Sequence, residues 1–127
     1  MNHSPGHQRW PDHQVKESHV DHPMTVEVDG EVVATSRDVI RVDEDGHPPR
    51  FYFPRADVQT KMLEPSNTNS DCPFKGHATY FSLNLDDKDL HDAVWTYEHP
   101  YDEHAALQGR LVFWDDKNPE ISIYPKS

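Results

Sequence analysis

The residues best equipped for chemistry in this chain stand together at Cys72-Pro73-Phe74-Lys75-Gly76. A thiol and an ammonium in one short segment can converge where proline holds φ and glycine admits φ > 0. The ammonium would stabilise a thiolate, and free N–H groups in a tight turn can hold an anion. Cys72 is therefore a candidate nucleophile or redox group, and Lys75 its thiolate stabiliser or anion clamp. The plainer alternative is a buried structural cysteine ahead of a surface lysine, because free cysteine commonly packs in cores.

A second set of candidates is aromatic and polar at once: Tyr52, Tyr80, Trp95 and Tyr97. Such side chains line a pocket while hydrogen-bonding its occupant, or they sit in a core with their polar tips satisfied by protein. Other patterns carry less. His19-Val20-Asp21-His22 offers imidazoles and a carboxylate to a transition metal, but nothing around it pre-organises a site. No Gly-x-Ser-x-Gly, Walker or Rossmann glycine pattern occurs, and there is no internal repeat. No cofactor is named by the residues, and no metal site is expected. One cysteine cannot supply a Cys-rich structural zinc site or an internal disulfide, and it fits a reducing compartment.

Composition limits what these residues can serve. The formal net charge of −11 disfavours nucleic acid, whose phosphates are held by Lys and Arg. Apolar runs are too short for a membrane span or a signal-peptide core, so a soluble, cytoplasmic protein is expected. At 127 residues with a mean hydropathy of −0.93, the chain suits one domain.

The elements that must position the candidates read mostly as strands. Residues 1–23 are poor in apolar side chains and rich in His and Pro, which predicts a flexible tail that Trp10 could anchor. Residues 24–127 form the domain. Thr25 to Val28 and Val32 to Thr35 flank Asp29-Gly30, a hairpin signal of the type I′ kind. Further strands are expected at Arg37 to Val42, Phe51 to Phe53, Ala78 to Leu85, Ala93 to Tyr97, Leu111 to Trp114 and Ile121 to Tyr124. In Ala78 to Leu85, Tyr80 faces opposite to Phe81, Leu83 and Leu85. A short helix is expected over Asp57 to Leu63, a polar loop over Pro65 to Asp71, and a helical turn over Asp102 to Gln108. These elements predict an all-β or β-rich fold with one or two short helices. Twelve of the 13 aromatic residues lie at or after Phe51, which places the core and any pocket in that part.

Successive blocks of the chain resemble one family: Gly30 to Arg37, Tyr52 to Val58, Cys72 to Tyr80, Ala93 to Tyr97 and Gly109 to Phe113. It is the family termed domain of unknown function 427, whose Cys-Pro-Tyr-Lys-Gly signature appears here with Phe74 at the tyrosine position. The resemblance implies a single compact antiparallel folded sheet, similar to the β-tent of the Rab-associated zinc protein Mss4. It supplies no function. A nucleotidyltransferase label attached to the family implies a Gly-Ser turn and two metal-binding carboxylates. Asp87-Lys88-Asp89 has suitable carboxylate spacing but no Gly-Ser before it, and Asp115-Asp116 is no better, so both read as solvated turns.

The blocks promote Ser36, Arg37, Tyr52, Asp57, Tyr80, Trp95 and Tyr97 as ligand-binding residues around the candidate catalytic pair Cys72 and Lys75. Tyr80 or Asp57 would handle protons. The expected function is binding of a small anionic or aromatic molecule, with thiol-dependent catalysis open. The alternative is a non-catalytic protein-interaction module, which would show a flat apolar patch instead of a concave polar pocket. Oligomeric state is not legible.

Overall fold

The computed structural model describes residues 3–86 and 88–125, a β-rich domain. Its elements are α1 (Pro5–Arg9), β1 (Val15–His19), β2 (Met24–Val28), β3 (Glu31–Ser36), β4 (Ile40–Glu44), β5 (Arg50–Phe53), β6 (Leu63–Cys72), β7 (Gly76–Leu85), β8 (Lys88–Tyr97), β9 (Leu111–Phe113) and β10 (Ile121–Pro125). Seven strands make one sheet in the order β1-β4-β5-β9-β8-β7-β6, and β10-β2-β3 makes a second. Every pairing is antiparallel. Asp29 and Gly30, at φ 49° and 86°, turn β2 into β3 with the two positive dihedrals that a type I′ turn requires.

Alternation along the strands sorts side chains onto two faces of the large sheet. One face packs Phe53, Leu83, Val94, Leu111 and Phe113 against Val26, Val28 and Val33 of the small sheet. The other gathers Ile40, Val42, Tyr52, Ala78, Trp95, Tyr97 and Val112 over Leu107. Register lines up one row of this second face across five strands, because Ile40 pairs with Tyr52, Tyr52 with Val112, Val112 with Trp95, and Trp95 with Tyr80. The expected alternation in β7 is present, with Leu83 in the first core and Tyr80 against the second.

Four expectations need correction. The predicted tail contains α1 and β1, and β1 completes the large sheet by pairing Val15–His19 with β4. An edge strand needs few apolar residues, so its composition resembles that of a loop. The same reason explains β6, expected as a loop over Pro65 to Asp71, where a polar edge strand pairs with β7 and bulges between Pro65 and Asn69. The helix expected over Asp57 to Leu63 is instead two 3-10 turns, Arg55–Asp57 and Thr60–Met62. The strand expected from Arg37 begins at Ile40 and runs on to Glu44. Asp102 to Leu107 does form the expected helical turn, of 3-10 type. Of the Asp87-Lys88-Asp89 run, Asp87 lies outside the described residues, while Lys88 opens β8 and bonds Asp29 at 2.6 Å.

Candidate ligand pocket

The Cys-Pro-Phe-Lys-Gly segment is the hairpin turn between β6 and β7, closed by the pairing of Cys72 with Gly76. It stands beside the second face of the large sheet, and the two border a half-open cavity of about 230 Å³. Cys72 and Lys75 reach this cavity from the hairpin, Tyr52 from β5, Tyr80 from β7, and Trp95 and Tyr97 from β8. Six of the nine candidate residues therefore share one site.

Aromatic rings form its wall. Trp95 and Trp114 meet edge to face at 5.5 Å, and Tyr80 lies 6.4 Å from Trp95 and 6.2 Å from Trp114. The Arg50 guanidinium sits 5.2 Å from the Trp95 ring, a cation–π distance. That guanidinium is also bonded to Asp116 at 2.6 Å, which holds the Asp116 carboxyl below its usual range, and Asp115 lies 3.7 Å away. Asp115 and Asp116 thus neutralise an arginine beside the cavity instead of forming only a solvated turn.

Charge on the hairpin side is also internally matched. Lys75 donates to Glu44, and the two side chains are only 8% and 10% exposed. The other Glu44 oxygen meets His13 at 3.0 Å. Burial alone would raise the Glu44 pKa, but the bonds from Lys75 and His13 reverse the effect and hold it below the usual value. The Tyr52 and Tyr97 hydroxyls are both pushed up, chiefly by burial and further by each one's proximity to Cys72 and Glu44. Both remain protonated donors at ordinary pH.

The turn is clamped from outside by the N-terminal segment. Gly6 N–H and Ser4 Oγ both donate to the Pro73 carbonyl, at 2.7 Å each. The Phe74 ring is stacked on His13 at 4.3 Å and touched edge-on by His7 at 5.1 Å, with Trp10 6.1 Å away. Phe74 thus lies outside the cavity lining and packs against the N-terminal segment.

Three candidates lie elsewhere. Ser36 Oγ donates to Asp57 at 2.6 Å and accepts the Asp38 N–H, pinning the first 3-10 turn to β3. Arg37 is exposed in the β3–β4 connection. In the His19 to His22 run, His19 turns to Asp38 and His22 to Asp21, so the two imidazoles serve separate carboxylates. Among the described residues, no three metal-ligating side chains cluster.

Sequence reasoning missed Glu44, Arg50, Trp114 and His47, all of which line the cavity. The first three were within reach: Arg50 is two residues from Tyr52, Glu44 two from Val42, and Trp114 two from Val112, so strand alternation gives each pair one face. His47 belongs to a turn, where no period applies. No curated protein matches this chain. The model of the family described as "Domain of unknown function (DUF427)" matches residues 16–123, from β1 to β10, and the chain belongs to that family.

Proposed function

We propose that this domain binds a small aromatic molecule in the cavity behind the Cys72 hairpin, with the Cys72 thiol as its reactive group. The observation that carries this reading is the cavity's composition: a wall of Trp95, Trp114 and Tyr80 facing a thiol and two tyrosine hydroxyls within about 230 Å³. That volume exceeds the roughly 150 Å³ that takes benzene and falls below the ~300–1,000 Å³ of drug-sized sites, so it suits one ring with a small substituent. Tyr52 and Tyr97 stay protonated beside Cys72 and can donate to a group reacting at sulfur. Lys75, committed to Glu44, is better suited to shaping the hairpin wall than to clamping an anion.

The interaction-module alternative has less support. The large apolar side chains most exposed among the described residues are Trp10, Val32 and Tyr124, on three separate segments. Val32 and Tyr124 share the outer face of the small sheet with Glu27 between them, and Trp10 lies on the N-terminal segment; two apolar side chains beside a carboxylate are a smaller surface than a docking patch. A net charge of −11 also disfavours nucleic acid as a partner.

Alkylation of the native protein by iodoacetamide tests the reading. Cys72 is expected to react at neutral pH, and saturating indole is expected to slow that reaction several-fold. A thiol that resists until the protein unfolds, or that reacts equally fast with indole present, overturns it.

A further inference from the structure

Tyr52 is 1% exposed and lines the cavity, yet among the described residues no group hydrogen-bonds its hydroxyl. The Tyr52 hydroxyl opens onto the cavity and is free to donate to an occupant that supplies an acceptor. The Tyr97 hydroxyl lines the same cavity, with the Trp95 indole as a neighbouring donor. Both phenols are held protonated and can donate to a ligand oxygen.

The charges around the cavity narrow the class further. Its two buried or half-buried cations are already matched, Lys75 by Glu44 and Arg50 by Asp116, with Asp115 near the same guanidinium. A carboxylate or phosphate entering here would meet a lysine and an arginine that are already paired and would stand close to Glu44. From the unpaired Tyr52 hydroxyl and the matched cations we infer that the site is selective for neutral aromatic carbonyl compounds, whose ring lies against Trp95 and Trp114 and whose oxygen accepts from Tyr52. This rests on the aromatic-pocket reading and specifies its ligand class.

Three single-ring probes separate the possibilities: acetophenone (ring and neutral acceptor), ethylbenzene (ring alone) and benzoate (ring and charge). Binding to the full chain is read from shifts of the Trp95 and Trp114 indole N–H signals in NMR titrations. Acetophenone is expected to bind about tenfold tighter than either of the others, the scale of one buried hydrogen bond gained or lost. Tyr52→Phe is expected to abolish its advantage over ethylbenzene while leaving ethylbenzene unchanged. Benzoate binding as tightly as acetophenone, or an advantage that survives Tyr52→Phe, overturns the inference and leaves the aromatic pocket standing. If none of the three probes moves either indole signal, both fail. The wild-type comparison alone decides the charge question should Tyr52→Phe not fold, and Tyr97→Phe then serves as the second variant.

Discussion

The Lys75 ammonium bonds the Glu44 carboxylate from across the cavity rim, joining the β6–β7 hairpin to the end of β4. These two residues are 31 positions apart in the chain, and their side chains are 8% and 10% exposed. Removing one member of such a pair leaves the other buried without its counter-charge. Lys75→Met is therefore expected to destabilise the domain by about 3 kcal/mol in urea unfolding, and adding Glu44→Gln should restore more than half of the loss. Glu44 is held below its usual pKa in the fold, so the pair's stabilisation is complete above about pH 4.5 and is lost as pH falls through the folded value. Equal stability of wild type and Lys75→Met at pH 7 would contradict this.

The closeness of α1 to the hairpin makes a sharp steric prediction. A Cβ at Gly6 would lie 2.7 Å from both Phe74 Cδ1 and the Pro73 carbonyl oxygen. The carbonyl is backbone and cannot turn aside. Gly6→Ala is expected to lift α1 off the turn at a cost of about 1–3 kcal/mol, seen as faster proteolysis before β1 and a red shift of Trp10 emission.

Docking of α1 is also expected to depend on pH. His7 Nε2 meets His104 Nε2 at 2.9 Å, and His104 Nδ1 meets Glu17 at 2.6 Å. Two imidazolium ions cannot keep the first of these bonds, since neither offers an acceptor. Burial, the neighbouring His104 and, to a lesser extent, His13 hold the His7 pKa below 6.5, against the opposing pull of Glu103 and Glu44. A depressed histidine contributes stability above its unfolded value of 6.5 that is lost as pH falls through the folded one. Trp10 emission should therefore shift red below about pH 6.5, and His7→Gln should flatten the response. An identical profile in the variant would point to a different group.

In β8, two strands in from the β6 edge, Asp92 is 7% exposed at φ 53°, and among the described residues its Oδ1 has no hydrogen-bond partner. Thr68 donates to the other oxygen at 2.6 Å. Thr68→Val removes that donor, and thermal unfolding should register a loss of about 1–3 kcal/mol. Thr68→Ser keeps the hydroxyl and is expected to stay near wild type.

How far the chain could be read without its fold depends on what each residue's position rests on. Phe53 and Tyr52, or Val94 and Trp95, fall on opposite faces because adjacent strand residues must, so the split between structural core and pocket wall was already legible in local alternation. The Asp29-Gly30 turn was legible for the same local reason, its dihedrals being a property of the dipeptide. β1 and β6 were not, since a polar edge strand is held by its neighbour's backbone and carries almost no hydrophobic period of its own. Nor could the sequence assign Lys75 to Glu44, or Phe74 to His7 and His13, because those contacts join segments brought together only when β4 and the β6–β7 hairpin take their places and α1 docks on the turn. Ser36, Arg37 and Asp57 mark the same limit from the other side: their chemical types suited a pocket, but β3 and its connections lie away from the face on which the cavity forms. Residue type and period determined which side chains could build a site; strand order and register determined which of them meet.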